Sequence, residues 1–179
     1  MIKASIFLIE TLFSLYLIVI ILRFILQWMR ASFYDAPSQF ILALTNPVIM
    51  PLNRLIPRWR NIELSSVVLI FVLAVLEATL INLLAIGEIK SIIGLLFQAI
   101  FSVVFLVLEF YFFSILIEAI ASWLVPPGNY NPITNFLHRI NDPLLNPVRK
   151  LIPTISGFDL SPLIVLLILQ ILIIIMGEF

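Results

Sequence analysis

The sequence predicts an all-α membrane protein: four transmembrane helices in two tandem parallel repeats, each a helix, a proline-rich interfacial loop with short amphipathic helices, and a second helix. Three observations lead there: a surplus of apolar residues, apolar runs of bilayer-spanning length, and a proline pattern that recurs in register. Of 179 residues, 63% are hydrophobic and 11% charged, against roughly 45–50% and 25% in soluble domains. A water-soluble fold has no means of hiding that much apolar surface.

The apolar runs cover residues 4–29, 64–86, 92–125 and 160–176, and a bilayer core needs about 17–25 residues per helix. The first run follows Lys3 but continues to Met29 without a small-residue cleavage site, so it reads as a span and not as a secretory signal. As one helix the third run would extend about 50 Å, more than a core of ~30 Å requires. Gly94 is the expected place for a break, leaving residues 91–100 partly interfacial.

All eleven prolines avoid the span interiors. Ten fall in loops 30–63 and 126–159, and Pro162 stands at a helix start, punctuating the chain where helices are expected to stop. Those loops carry Arg30, Arg54, Arg58, Arg60, Arg139, Arg149 and Lys150, seven of the ten basic residues. With four spans both loops face one side. The excess of basic residues assigns that side to the cytoplasm and both termini to the outside.

Trp28 superposes on Trp123 at an offset of 95, and the loops then match at 96. NPVIMPLNRLIP, from Asn46, lies over DPLLNPVRKLIP, from Asp142, so Pro47, Pro51 and Pro57 map onto Pro143, Pro147 and Pro153. Glu63, Leu64, Ser65 and Ser66 lie over Asp159, Leu160, Ser161 and Pro162. The repeats are therefore residues 1–88 and 89–179. With an even number of spans in each, the copies share one orientation, related by a pseudo-two-fold along the membrane normal.

Within the second loop Ile133, Phe136, Leu137 and Ile140 follow helical spacing, and the stretch before Asn46 is similarly apolar, as suits short helices in the headgroup layer. Pro51 and Pro147 are expected at a first helical position, with Arg54, or Arg149 and Lys150, in the last turn, where cations suit the helix dipole and anionic lipid headgroups. Ser161 before Pro162 reads as an N-cap, with Ser65 as its counterpart.

Ionisable groups inside spans are costly and point to function or pairing. Glu10, Arg23, Glu77, Glu109 and Glu118 qualify. Arg23 and Glu118 each precede the repeated tryptophan by five residues, which sets them at one depth and predicts an ion pair between the first and third spans. Ser91, Gln98, Ser102 and Glu109 share one helical face. Glu77 and Glu109 form a candidate intramembrane ion or proton site, their neutral forms serving otherwise as hydrogen bonds between helices.

There is no cysteine, one histidine (His138), and equal numbers of acidic and basic residues. The chain thus lacks a thiolate or histidine cluster for metal, a recognisable catalytic constellation, a cofactor motif, and any basic excess directed at nucleic acid. It is expected not to be an enzyme.

The repeated tryptophans, the two proline-spaced loop motifs and the Asp159-Leu160-Ser161-Pro162 sequence resemble the YggT family, called YlmG in other bacteria and plastids. The likeness spans essentially the whole chain, with the second copy the cleaner match. Asn53 stands where the basic pair of the loop usually begins, Ser66 replaces the proline, and Glu118 occupies a position where a basic residue is common. The resemblance implies a small multi-pass protein of the bacterial inner membrane, with roles in osmotic-stress tolerance linked to potassium uptake, cell division or nucleoid organisation, or assembly of membrane complexes. Two functions follow as expectations. One is an accessory or scaffold whose loops dock a membrane-protein partner or a second copy. The other is a small potassium or proton channel, or transport modulator, using the intramembrane carboxylates.

Overall fold

The computed structural model describes residues 2–29, 34–56, 63–87, 91–124, 131–152 and 159–177, with Trp123 and Leu124 described for backbone alone. Among the described residues there are six helices and no strand: α1 (Ile2–Trp28), α2 (Ala36–Leu55), α3 (Leu64–Ile86), α4 (Ile92–Leu124), α5 (Pro132–Leu151) and α6 (Ser161–Gly177). Three of them, α1, α3 and α4, are long and apolar enough to cross a bilayer, and α6 is a shorter apolar helix of 17 residues.

Three of the boundaries have a clear local cause. Gly87 ends α3 in the left-handed region, φ 75°, and donates its N–H to Leu83 O, a conformation costly for residues with a Cβ. Ser91 then caps α4 by accepting from Gly94 N at 3.2 Å. Two expectations change here. Gly94 lies inside a continuous helix of 33 residues and does not break it, and Ser91 serves the cap. Asn131 caps α5 by accepting from Ile133 N, with Pro132 in the first turn.

The prolines correct a second expectation. Pro47 and Pro51 lie inside α2, and Pro143 and Pro147 inside α5, each a single helix of 20 residues. A four-residue proline spacing removes two backbone bonds from one face, and in both helices the prolines lie on an exposed face. The opposite face holds the helix to the core. In α2 the buried residues Ser38, Ile41, Thr45 and Ile49 recur every three or four positions. Pro57 and Pro153, at the loop ends, lie outside the described residues, as do Arg30, Arg58 and Arg60.

The chain divides into two compact units, one of residues 1–33 and 38–107, the other of residues 34–37 and 108–179. In the first unit α1 and α3 pack directly. Leu17, Ile20, Leu26, Ile49 and Ala74, each at most 1% exposed, belong to its core. Asn82 on α3 donates to Gln98 on α4 at 2.9 Å, tying the two helices flanking the Gly87 turn. In the second unit α4, α5 and α6 meet around Ile115, Leu145, Val165 and Leu169, with Phe112, Leu144 and Leu166 against them.

Leu145, fully buried between three helices, provides a stability test. Leu145→Ala should destabilise the second unit by about 2–5 kcal/mol through lost contacts and a cavity, read as a lowered midpoint in detergent unfolding followed by circular dichroism.

Candidate functional site: matched polar nodes

In the first unit the polar residues converge on Arg23, which is 3% exposed on α1. Its Nε donates to Glu63 Oε2 at 2.9 Å and its Nη2 to Glu63 Oε1 at 3.2 Å. Its Nη1 donates to Thr45 Oγ1 at 2.8 Å and Asn46 Oδ1 at 2.7 Å, both on α2. Glu63 in turn accepts from Asn53 Nδ2 and Ser66 Oγ, each at 2.7 Å. One guanidinium thereby joins α1, α2 and the start of α3. A planar fork meeting both carboxylate oxygens is the geometry in which a buried arginine is best compensated.

Burial alone would raise the Glu63 carboxyl, but hydrogen bonds from Arg23, Asn53 and Ser66, with the Arg23 charge, hold it down at about 2, against an ordinary 4.5.

The second unit builds a node from the same register positions with the charges rearranged. Glu118 on α4 accepts from Asn141 Nδ2 on α5 at 2.6 Å and lies 2.8 Å from His138 Nδ1. Asn141 also accepts from Ser114 Oγ at 2.8 Å. Arg149 on α5 donates from Nε to Asp159 Oδ2 at 2.8 Å and from Nη1 to Asp142 Oδ1 at 3.1 Å, while its Nη2 stands 3.9 Å from Glu118 Oε1. Asp159 also accepts from Ser161 N at 2.9 Å. Burial raises the Asp159 carboxyl, but bonds from Arg149 and Ser161 and the Arg149 charge outweigh it and leave it lowered.

In repeat register Glu118 replaces Arg23, Asn141 replaces Thr45, Asp142 replaces Asn46, Arg149 replaces Asn53, and Asp159 replaces Glu63. The arginine has moved from the first long helix to the loop helix, and an acid fills its former place. The departures noted at Asn53 and Glu118 are thus two halves of one rearrangement.

This corrects the expected Arg23–Glu118 pair. Arg23 is engaged by Glu63, Thr45 and Asn46, and Glu118 by His138, Asn141 and Arg149. Each side chain reaches the loop helix of its own repeat. The capping expectation changes likewise. Ser161 and Ser65 are fully buried with hydroxyls that make no hydrogen bond, and Asp159, not Ser161, supplies the side-chain acceptor at the start of α6.

Several other predicted positions are not part of these bonded networks. Trp28 is 62% exposed, Arg54 and Lys150 are exposed in the last turns of α2 and α5, and Pro162 lines a cleft beside α6. Trp123 belongs to α4, and its side chain is outside the described residues. Glu77 is buried on α3 in the first unit, where the acid whose charge reaches it is Glu10 of α1. Glu109 lies half-buried in the second unit. Of the α4 polar stripe, Gln98 meets Asn82 and Ser102 donates to Gln98 O at 2.9 Å. Among the described residues no group of three or more His, Asp and Glu is arranged to hold a metal ion. Sequence reading missed the roles of Glu63, Thr45, Asn46 and Asn141. The signal available was their place at matching positions flanking the proline motif.

The family profile CCB3/YggT matches residues 2–84 and again residues 97–179. The chain belongs to the CCB3/YggT family. It is similar to the Pseudomonas aeruginosa protein named "Uncharacterized protein PA0392", 42% identical over 94% of this chain and 86% of that one. It is also similar to "Uncharacterized protein YggT" of Escherichia coli K12, 36% identical over 93% and 85%. A shorter likeness links it to "Uncharacterized protein ycf19" of Porphyra purpurea, 34% identical over 70 residues, 39% of this chain and 74% of that one. No solved structure matches. The two profile matches bracket the two polar nodes, so the family unit and the node coincide.

Two tests follow. Arg23→Glu should cost about 3–5 kcal/mol by leaving buried like charges, and adding Asn53→Arg, which copies the second node into the first, should recover more than half of the lost thermal stability in detergent. Because the folded Glu63 value lies below the ordinary one, its contribution is full above pH 4.5 and is lost as pH falls toward about 2. An acid titration of the melting temperature should therefore fall across that window, and Glu63→Gln should flatten it.

Proposed function

We propose that this YggT-family chain is a non-enzymatic, multi-pass protein of the bacterial cytoplasmic membrane that acts as an accessory or assembly scaffold, in a role linked to osmotic-stress tolerance or envelope organisation. In this reading α1, α3, α4 and α6 span the bilayer as two tandem parallel repeats. The amphipathic helices α2 and α5 lie along its cytoplasmic surface, and both termini are outside. At about 25 Å, α6 sits at the short end of the spanning range.

The observation that carries this reading is the use made of the ionisable groups. Arg23 and Glu63, each at most 3% exposed, are joined to each other and to α2. Such bonding suits a device that fixes loop helices on a membrane anchor more than a path for ions. Arg54 and Lys150, register partners that both remain exposed, are available to anionic headgroups or to a docked membrane-protein partner or second copy.

One observation favours the second reading, an ion-handling protein for potassium or protons: Glu77 is buried on an apolar helix with Glu10 close enough for their charges to interact. Flux from liposomes containing the purified protein separates the two. The scaffold reading expects no potassium or proton flux, with loss of partner co-purification from native membranes on combining Arg54→Glu and Lys150→Glu. A flux abolished by Glu77→Gln would replace it with ion handling.

A further inference from the structure

The repeats differ in how their long helices meet. Where α1 and α3 pack directly, the register-equivalent α4 and α6 leave between them a cleft of about 1020 Å³, at the upper end of the roughly 300–1,000 Å³ of ligand pockets. One end carries Glu118, Arg149 and Asp159, and the walls are apolar, among them Leu116, Ile120, Leu163 and Leu167. Leu163 and Leu167 are each 58% exposed, so the helices themselves do not cover these walls.

Asp159 stands just before α6, and from the start of that helix at Ser161 to Gln170, at the far end of the cleft, the chain advances about 14 Å at 1.5 Å per residue. Half of a bilayer core is about 15 Å. The cleft is therefore as deep as the hydrocarbon of one leaflet, with its charged end where that leaflet's headgroups lie.

The charges at the mouth select the headgroup. Glu118 and Asp159 line the mouth with Arg149, whose Nη1 also meets Asp142, so the acids outnumber the arginine and leave a negative excess. The first node, one arginine against one glutamate, has none. Arg149 still offers Nη2, which stands 3.9 Å from Glu118, beyond hydrogen-bond distance. An ammonium with N–H donors would meet the carboxylates while its phosphate meets Arg149 Nη2. A choline headgroup has no such donor, and a glycerol headgroup lacks the cation.

We propose that the α4–α6 cleft is a binding site for a single phospholipid with a primary-amine headgroup, of the phosphatidylethanolamine type, with one acyl chain laid between the two helices. The site rests on α6 lying in the bilayer beside α4, and not on the scaffold role.

The test is native mass spectrometry of the full-length protein titrated with phosphatidylethanolamine, phosphatidylglycerol and phosphatidylcholine of identical acyl chains. The amine lipid should bind about tenfold more tightly than either, the worth of one charge-assisted hydrogen bond. Ala119→Trp, placed to fill the cleft, should abolish that preference, and the more exposed Leu163→Trp should do so even if Ala119→Trp perturbs folding. Glu118→Gln should shift the preference toward phosphatidylglycerol. Equal binding of the three lipids, or binding untouched by both tryptophans, overturns the proposal. So does a cross-linked dimer lost in the tryptophan variants, which would make the occupant a second copy. Because the chain has no cysteine, labelling of Ile174→Cys in intact liposomes reports on α6 separately. A readily labelled cysteine would place the failure in the span assignment and would also overturn the site.

Discussion

Arg23 is carried on a helix whose neighbours in sequence are almost all apolar, and its guanidinium is sealed from solvent. A charge in that setting costs several kcal/mol unless its partners come to it. Here they come from two other helices at once: a carboxylate at the entrance to α3 and two polar side chains on α2. The loop helix is thereby fixed against the long helices by directional bonds as well as by packing. Such bonds have particular value beside a bilayer, where helix association gains little from the hydrophobic effect.

The second repeat meets the same requirement with another distribution of charge. Its arginine stands on the loop helix and faces three carboxylates, and its groups are more open to water, with side-chain exposures of 13–52% against 1–4% in the first. Exposure lowers both the cost and the strength of these interactions. The tight node accompanies direct packing of α1 on α3. The open node accompanies a cleft between α4 and α6, with surplus negative charge at its mouth. The two halves matched by the family profile thus differ, one with a closed node and directly packed helices, the other with a more open node beside a cleft.

The loop helices show how proline is accommodated in this architecture. In a buried helix the paired prolines would strand carbonyls without partners. On helices with one face turned away from the core they fall where outside acceptors and donors remain within reach. The spacing of four keeps both prolines on that side, so Ile49 and Leu145, at matching positions, remain fully buried on the other.

Hydropathy determined the long helices to within a few residues, because a run of apolar side chains in this composition has few alternatives. The recurrence of Trp28, Pro47, Pro51 and Glu63 as Trp123, Pro143, Pro147 and Asp159 established the duplication and the register. Proline content, by contrast, suggested short helices where two long ones exist, since propensity says nothing of which face a proline occupies. The partners of Arg23 and Glu118 were decided only by tertiary structure. Equal depth in the chain is a one-dimensional fact, whereas an ion pair depends on which helix brings an oxygen within about 3 Å of a nitrogen. That is set by how α2 and α5 pack back on their own repeats, through side chains far apart in sequence.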